Sequence, residues 1–296
     1  MFADLFGFPP QVLFGQLLLG VINGAFYAVL SLGLAVIFGM LNIVNFAHGA
    51  LYMLGAFASY FLLHALGISY WGALILAPLI VGAAGIVIER FLLRRLTGVD
   101  HLYGLLLTFG LALVIEGLFV KLFGASGLPY PTPDALKGGV NLGFMFLPWY
   151  RGWVVLAALV ACVFTWWLFE RTKVGAYLRA GTENPSLLQA FGVNVPLLTT
   201  LAYGYGVALA GLAGVLAAPI TQVNPLMGSN LIIVVFAVVV IGGMGSIMGA
   251  ALTGLAMGVI EGLTKVFWPE ASATVIFVIM AIVLVLRPAG LFGRPA

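Results

Sequence analysis

Long apolar runs separated by short polar turns constrain this chain more than any other feature of its sequence. Hydrophobic residues make up 63% of the 296 positions and charged residues 7%, whereas ordinary soluble domains are about 25% charged. About 20 apolar residues are enough for a helix to cross the hydrocarbon core of a bilayer. We therefore predict an all-α polytopic membrane protein with about eight to ten transmembrane helices in one transmembrane domain, residues 1–296, from nine apolar segments: 12–38, 46–66, 70–89, 103–123, 152–169, 197–217, 229–241, 247–267 and 272–287.

Two features of these segments predict irregularity. The first segment is overlong, and segment 229–241 is too short to cross alone and runs directly into a glycine-rich stretch. The chain contains 39 glycines, a number that predicts close helix packing through small residues and helices that are interrupted.

The basic residues predict the orientation, because cytoplasmic loops carry an excess of Lys and Arg. With nine segments, eight of the twelve Lys and Arg residues fall on one side, in the loops after the third and fifth segments and after the last one. We therefore predict a cytoplasmic C-terminus and an external N-terminus. The longest outer loop, 124–151, is rich in Pro and Gly and is either a surface connector or a platform for an external partner.

Residues 170–196, called the polar segment below, form an island of polar residues within the predicted cytoplasmic part. One short helix is predicted there. Thr182 or Asn184 can cap its start, because their side chains accept hydrogen bonds from free backbone N–H groups. Pro185 suits the first turn and Gly192 suits the end.

The spacing of Leu187, Leu188 and Phe191 predicts one apolar face on that helix. A helix of about two turns is unstable alone in water and needs a surface to dock on. The polar segment is therefore predicted to present a docking helix to a soluble partner.

Glycine-rich breaks interrupt two apolar regions, 34–57 and 236–254. The first contains Asn42, Asn45 and His48, which predicts a helix end or unwound stretch facing protein or a water-lined cavity, because irregular backbone at membrane depth is tolerated only there. The alternative is that both breaks are turns at the cytoplasmic surface and that the histidine only packs. Transporters often place such breaks near the substrate path, so these three residues are path candidates together with Gly243 and Gly245.

Charged residues inside the apolar segments predict either ion pairs or function. Glu261 has Lys265 four residues later, a spacing that favours a helical ion pair. Glu116 has no such partner, so it is a further path candidate, or it pairs with another chain. Glu89 is predicted to anchor its helix at the membrane interface.

Several function classes are excluded by missing motifs. The sequence has no G-x-x-x-x-G-K-[ST] phosphate loop, no H-E-x-x-H, no G-x-S-x-G and no His/Cys metal spacing. We therefore predict no enzyme activity, cofactor or metal, and nothing indicates nucleic-acid binding. Its one cysteine, Cys162, excludes an intrachain disulfide. Two classes remain: a stand-alone ion-coupled carrier or channel, and the membrane half of a pump powered by a separate ATPase. The docking helix favours the second.

Four stretches of the chain resemble the permease subunits of bacterial ABC importers for branched-chain amino acids, specifically the high-affinity leucine/isoleucine/valine permease family. The resemblance covers nearly the whole length and is carried by GMLNIVNFAHGALYMLGAF (39–57), TKVGAYLRAGTENPSLLQAFGVNV (172–195), GGMGSIMGA (242–250) and RPAGLFGR (287–294). It implies inward, ATP-driven transport of branched-chain amino acids by alternating access. Relatives of this family move urea or short-chain amides, which stays an alternative substrate class.

The resemblance also implies a location and partners. It implies a multi-pass protein of the bacterial cytoplasmic (inner) membrane that works with a second permease, either homologous or an identical copy, two cytoplasmic ATPases and an external solute-binding protein. The loop 172–195 would be the counterpart of the EAA-type coupling loop, with Glu183, Ala190 and Gly192 at the matching positions. The predicted ATPase-coupling residues are Arg179, Glu183, Leu187, Leu188, Ala190, Phe191 and Gly192.

Overall fold

The computed structural model describes residues 9–41, 43–96 and 99–293. Its architecture is all-α apart from one short hairpin, which confirms the predicted fold class. The helices in chain order are α1 (Pro10–Leu41), α2 (His48–His64), α3 (Tyr70–Phe91), α4 (His101–Phe123), α5 (Trp149–Arg171), α6 (Lys173–Glu183), α7 (Pro185–Ala190), α8 (Val195–Thr221), α9 (Ser229–Gly242), α10 (Ile247–Phe267) and α11 (Val275–Leu286).

Six of these helices are long and apolar enough to cross a membrane: α1, α3, α4, α5, α8 and α10. Three further helices, α2, α9 and α11, coincide with the other predicted apolar segments but are shorter, at 17, 14 and 12 residues. The predicted count of eight to ten crossings is therefore only approximate. Burial differs strongly among the long helices: the most apolar stretches of α1 and α8 are 78% buried, and that of α4 is 6% buried.

Small residues allow α1 and α10 to pack backbone against backbone. Gly20 and Gly24 are one turn apart on α1 and meet Gly254 and Gly258 of α10, so that a Cβ atom at any of the four would collide with the facing backbone. In a membrane this small-residue contact brings helices together where the hydrophobic effect cannot. The glycine content thus has the packing role predicted from the sequence.

Two short helices begin inside the molecule instead of at its ends. The first turn of α2 meets the first residues of α9, and a Cβ at Gly49 would lie 2.7 Å from the carbonyl oxygen of Gly228. The α2 start is also level with the interior of α1, since His48 Nε2 lies 3.1 Å from the Leu30 carbonyl oxygen. Because α2 and α9 start here, neither of them spans the full depth of the bundle.

The long loop between α4 and α5 is ordered. It contains an antiparallel hairpin of β1 (Gly139–Asn141) and β2 (Phe146–Pro148). The buried Tyr130 hydroxyl accepts a 2.8 Å hydrogen bond from Ser59 of α2, and the loop backbone pairs with Val223 after α8. These contacts hold the loop against the bundle at the end where α4 stops and α5 begins.

Candidate functional site

The polar segment contains two helices, not one. After α5 ends, Thr172 is extended and α6 begins at once, so the chain reverses sharply. A side chain at Gly175 would collide with the Phe169 carbonyl, so only glycine permits this close approach. Arg179 strengthens the turn by donating a 2.6 Å hydrogen bond to the Phe169 carbonyl oxygen, and it lies 3.3 Å from the Glu170 carboxylate.

The predicted short helix, α7, has the expected termini. The Asn184 side chain accepts a 3.0 Å hydrogen bond from the Leu187 backbone N–H, and Pro185 occupies the first turn. Gly192 closes the segment at φ +82°, a left-handed conformation that glycine adopts without strain. Asn184, not Thr182, is thus the cap, and Glu183 is the last residue of α6.

The predicted single apolar face on α7 needs correction. Leu188 is buried and lies beside Gly181 of α6, whereas Leu187 is 56% exposed and Phe191 77% exposed. Of these three apolar residues, Leu188 packs against the polar segment itself, and only Leu187 and Phe191 point outward. Ala190 and Gly192 lie on the same exposed stretch.

A cavity of about 520 Å³, called the inner cavity below, opens beside α6. It is bounded by the end of α1, the turn into α6, the glycine turn before α10 and the chain after α11. The structure therefore brings one predicted coupling residue, Arg179, to the same cavity as one predicted path residue, Gly245. It also brings the two glycine-rich breaks together, because Gly39 packs on Gly245.

The second break is held closed by the chain that follows α11. Gly243 adopts φ +101° and packs against Gly290 and Gly293. The backbone N–H groups of Leu291 and Phe292 donate hydrogen bonds of 2.8 and 3.1 Å to the last carbonyls of α9. The residues after α11 therefore act as a cap on the end of α9.

Residues 43–49, called the buried turn below, connect α1 to α2 inside the bundle. Asn45 is 1% exposed, donates a 3.0 Å hydrogen bond to the Tyr203 hydroxyl and accepts one from the Ala47 N–H. Thr108 of α4 donates to the Val44 carbonyl and accepts from the Phe46 N–H. This break is therefore an unwound stretch turned toward protein, one of the two alternatives that the sequence left open, and not a surface turn.

His48 lies at the inner end of the buried turn and is fully buried. Its Nδ1 atom has no hydrogen-bond partner within the described chain. Neither His48 nor Asn45 contributes to the inner cavity. Asn42, the third polar path candidate of this break, lies outside the described residues.

The intramembrane carboxylates have different surroundings. Glu116 is half-buried on α4 and makes no ion pair within residues 9–41, 43–96 and 99–293. Glu89, predicted as an interfacial anchor, is instead 3% exposed and accepts a 2.6 Å hydrogen bond from Thr200. The predicted pair of Glu261 and Lys265 forms at 2.6 Å.

A second cavity, the outer cavity, lies at the opposite end of the bundle and measures about 340 Å³. Sequence reasoning missed it, although Gln16 and Asn23, two helical turns apart on α1, both line it and interrupt an apolar run. Arg151 and Lys265 complete its polar wall from α5 and α10. Polar residues at this spacing within a predicted span are the sequence signal from which the cavity could have been predicted.

Known proteins show clear similarity to this chain. The profile of the family described as branched-chain amino acid transport system / permease component matches residues 16–285. The high-affinity branched-chain amino acid transport system permease proteins BraD of Pseudomonas aeruginosa and LivH of Escherichia coli are each 29% identical to it over 95% of both chains. LivM of Escherichia coli is 28% identical over 90% of this chain and 67% of its own length. No solved structure matches the chain significantly.

Proposed function

The chain belongs to the family of branched-chain amino acid transport system permease components, and from this premise we propose that it is the membrane-spanning subunit of an ATP-driven importer that carries branched-chain amino acids inward. The six long apolar helices supply the membrane body of such a subunit. The whole chain, residues 1–296, would act as one transmembrane permease domain.

One observation carries the ATP-driven part of the proposal: the exposed end of the polar segment. Leu187 on the six-residue helix α7 and Phe191 directly after it are large, exposed apolar side chains, whereas Leu188 packs against the chain itself. Such a pair is suited to a groove on a soluble protein. Two cytoplasmic ATPase subunits would hydrolyse ATP and contact this surface, with Arg179, Glu183, Leu188, Ala190 and Gly192 shaping or flanking it.

This assignment sets the orientation. The polar segment and the end of the chain would face the cytoplasm of a bacterium, the N-terminus would lie outside, and the membrane would be the inner one. The ordered hairpin loop after α4 would then face the external solute-binding protein. The similarity to both LivH and LivM supports a second, homologous permease as the membrane partner.

Substrate would pass by alternating access between this chain and that partner. The candidate path residues are Asn42, Asn45, His48, Glu116, Gly243 and Gly245. Gly245 lines the inner cavity, and the buried turn lies between the two cavities along α1. Glu116 is on the least buried long helix, where a second permease would supply its missing partner.

The docking surface can be tested by charge insertion. Leu187→Asp and Phe191→Asp should each reduce ATPase retention at least about tenfold, because a central apolar anchor contributes 2 kcal/mol or more to an interface. Retention is measured by co-purification of the ATPases with the tagged permease. Leu188→Asp is unsuitable, since Leu188 is buried within the polar segment itself.

The matched control is Phe146→Asp in β2, where the phenylalanine is 57% exposed at the other end of the molecule. It should retain the ATPases as the unaltered chain does. Full retention by Phe191→Asp, with normal membrane insertion, would contradict the docking surface. Leucine flux through this chain alone in liposomes, without ATPases, would instead favour a stand-alone carrier.

A further inference from the structure

The outer cavity combines cationic, amide and apolar side chains in its lining. We propose that it is the binding site for the ammonium and carboxylate groups of a zwitterionic aliphatic amino acid, an inference that rests on the proposed import function. Its volume of about 340 Å³ is at the small end of ligand sites, which run from about 300 to 1,000 Å³.

An acidic group lies behind the wall of the cavity. Glu261 of α10 is not among the lining residues. Its side chain is 12% exposed, accepts a 2.7 Å hydrogen bond from the Tyr27 hydroxyl and pairs with Lys265 at 2.6 Å. Because Tyr27 and Lys265 both line the outer cavity, Glu261 holds two lining side chains in place and neutralises the charge of Lys265.

The free cation is Arg151 at the start of α5. It lines the cavity and makes no hydrogen bond or ion pair with any described residue. Since Lys265 is already neutralised by Glu261, the cavity keeps one uncompensated positive charge. A guanidinium binds a carboxylate through two parallel hydrogen bonds, so Arg151 is suited to the carboxylate of the same ligand.

The rest of the wall suits a branched aliphatic side chain. Six apolar residues line the cavity: Leu19, Ile22, Phe26, Ala217, Ile220 and Leu231. The amides of Gln16 and Asn23 also line it and have no partner in the described chain. An amide oxygen accepts hydrogen bonds, so Gln16 is suited to the ammonium group of the ligand.

This combination favours an amino acid over a neutral substrate. Urea and short amides carry no charge, so they would remove water from Arg151 without compensating its charge, which is unfavourable. The carboxylate of an amino acid compensates it. Within the proposed importer, the outer cavity therefore selects for the amino-acid class.

The first test measures ATP-driven leucine uptake by the assembled transporter in proteoliposomes with its binding protein. Arg151→Gln should lower the initial rate about tenfold, the loss expected for one charge-assisted hydrogen-bond contact, with unchanged ATPase retention. Gln16→Leu, which removes the acceptor for the ammonium group, should lower it similarly. The matched control is Lys121→Gln, an exposed cation at the outer end of α4 away from the cavity, which should keep the wild-type rate.

The second test measures binding directly in the assembled transporter. An Asn23→Cys variant in a Cys162→Ala chain should react with a membrane-impermeant maleimide added from outside. Leucine should slow this reaction at least threefold, whereas 3-methylbutylamine, which lacks the carboxylate, and 4-methylpentanoate, which lacks the ammonium, should not.

Wild-type uptake by assembled Arg151→Gln complexes, or labelling that leucine leaves unchanged, overturns the site. Replacing Arg151 breaks no contact within the described chain, so Arg151→Gln decides the question if Gln16→Leu fails to assemble. If the unaltered transporter takes up no leucine, the proposed function fails instead, and the labelling arm still decides whether the cavity binds a zwitterion.

Discussion

The polar segment and the buried turn both interrupt apolar sequence with polar residues, yet they are built in opposite ways. In the polar segment, Asn184 caps its own helix, and the side chains of Leu187 and Phe191 are exposed. In the buried turn, Asn45 is bonded to another helix through Tyr203, and Thr108 completes the backbone hydrogen bonds. Asparagine thus supports a local helix start in one place and a long-range connection in the other.

This difference predicts that the buried turn contributes to the stability of the fold and that the exposed part of the polar segment contributes to partner binding. Changes in the buried turn should act on the free energy of unfolding, because its groups are enclosed by α1, α4 and α8. Changes in the exposed part of the polar segment should act on partner binding and leave unfolding almost unaltered. Three substitutions test this division.

The largest effect is expected from Gly49→Ala. Its added methyl group would lie 2.7 Å from the Gly228 carbonyl oxygen, and overpacking of this kind costs about 1–3 kcal/mol or more. The midpoint of thermal unfolding in detergent, followed by tryptophan fluorescence, should fall clearly. Gly117→Ala on α4 is the control, because no atom lies within 4 Å of its added methyl group. Equal unfolding midpoints for the two variants would contradict the predicted contribution of the buried turn to stability.

A smaller loss is expected from Asn45→Ala. The change removes the hydrogen bond to Tyr203 and leaves that buried hydroxyl without its donor, at a cost of about 1–3 kcal/mol. The unfolding midpoint is the measurement again. Transport per folded transporter should be recorded alongside it: a lower rate at normal assembly would show that Asn45 also serves the path. An unchanged midpoint would contradict the structural role.

The smallest effect on unfolding is expected from Asn184→Ala. Loss of the cap destabilises α7 by about 1 kcal/mol, which corresponds to about fivefold weaker ATPase binding if the helix must be ordered to dock. The unfolding midpoint should stay within error of the unaltered chain. Asn184→Asp keeps the acceptor and should bind normally. A shifted midpoint with normal binding would reverse the roles assigned to the two regions.

Much of this architecture was predictable because its signals are local. Each of the nine predicted apolar segments coincides with a described helix. Asn184, Pro185 and Gly192 placed the ends of α7, since caps and turn residues act within a few positions. The pair of Glu261 and Lys265 followed from helical spacing in the same way.

The features that the sequence did not predict share one physical cause: each depends on contacts that form only when separate helices pack together. Helix α6 was not predicted, because its start depends on the close approach of Gly175 to the Phe169 carbonyl, which helical spacing alone does not show. Leu188 and Phe191 were assigned to one face because spacing alone cannot show that α6 covers only one of them. The outer cavity depends on Asn23 and Arg151, which are far apart in sequence and meet only when α1, α5 and α10 pack.

Helix α1 lines both cavities, with Tyr27 in the outer one and Ala35 in the inner one. At 1.5 Å per residue, these two positions are separated by about 12 Å along the helix. The two cavities are therefore separated along α1 by only about two helical turns. The first turns of α2 and α9, which meet at Gly49 and Gly228, lie at this level of α1. We therefore expect any movement that joins the two cavities to alter this contact.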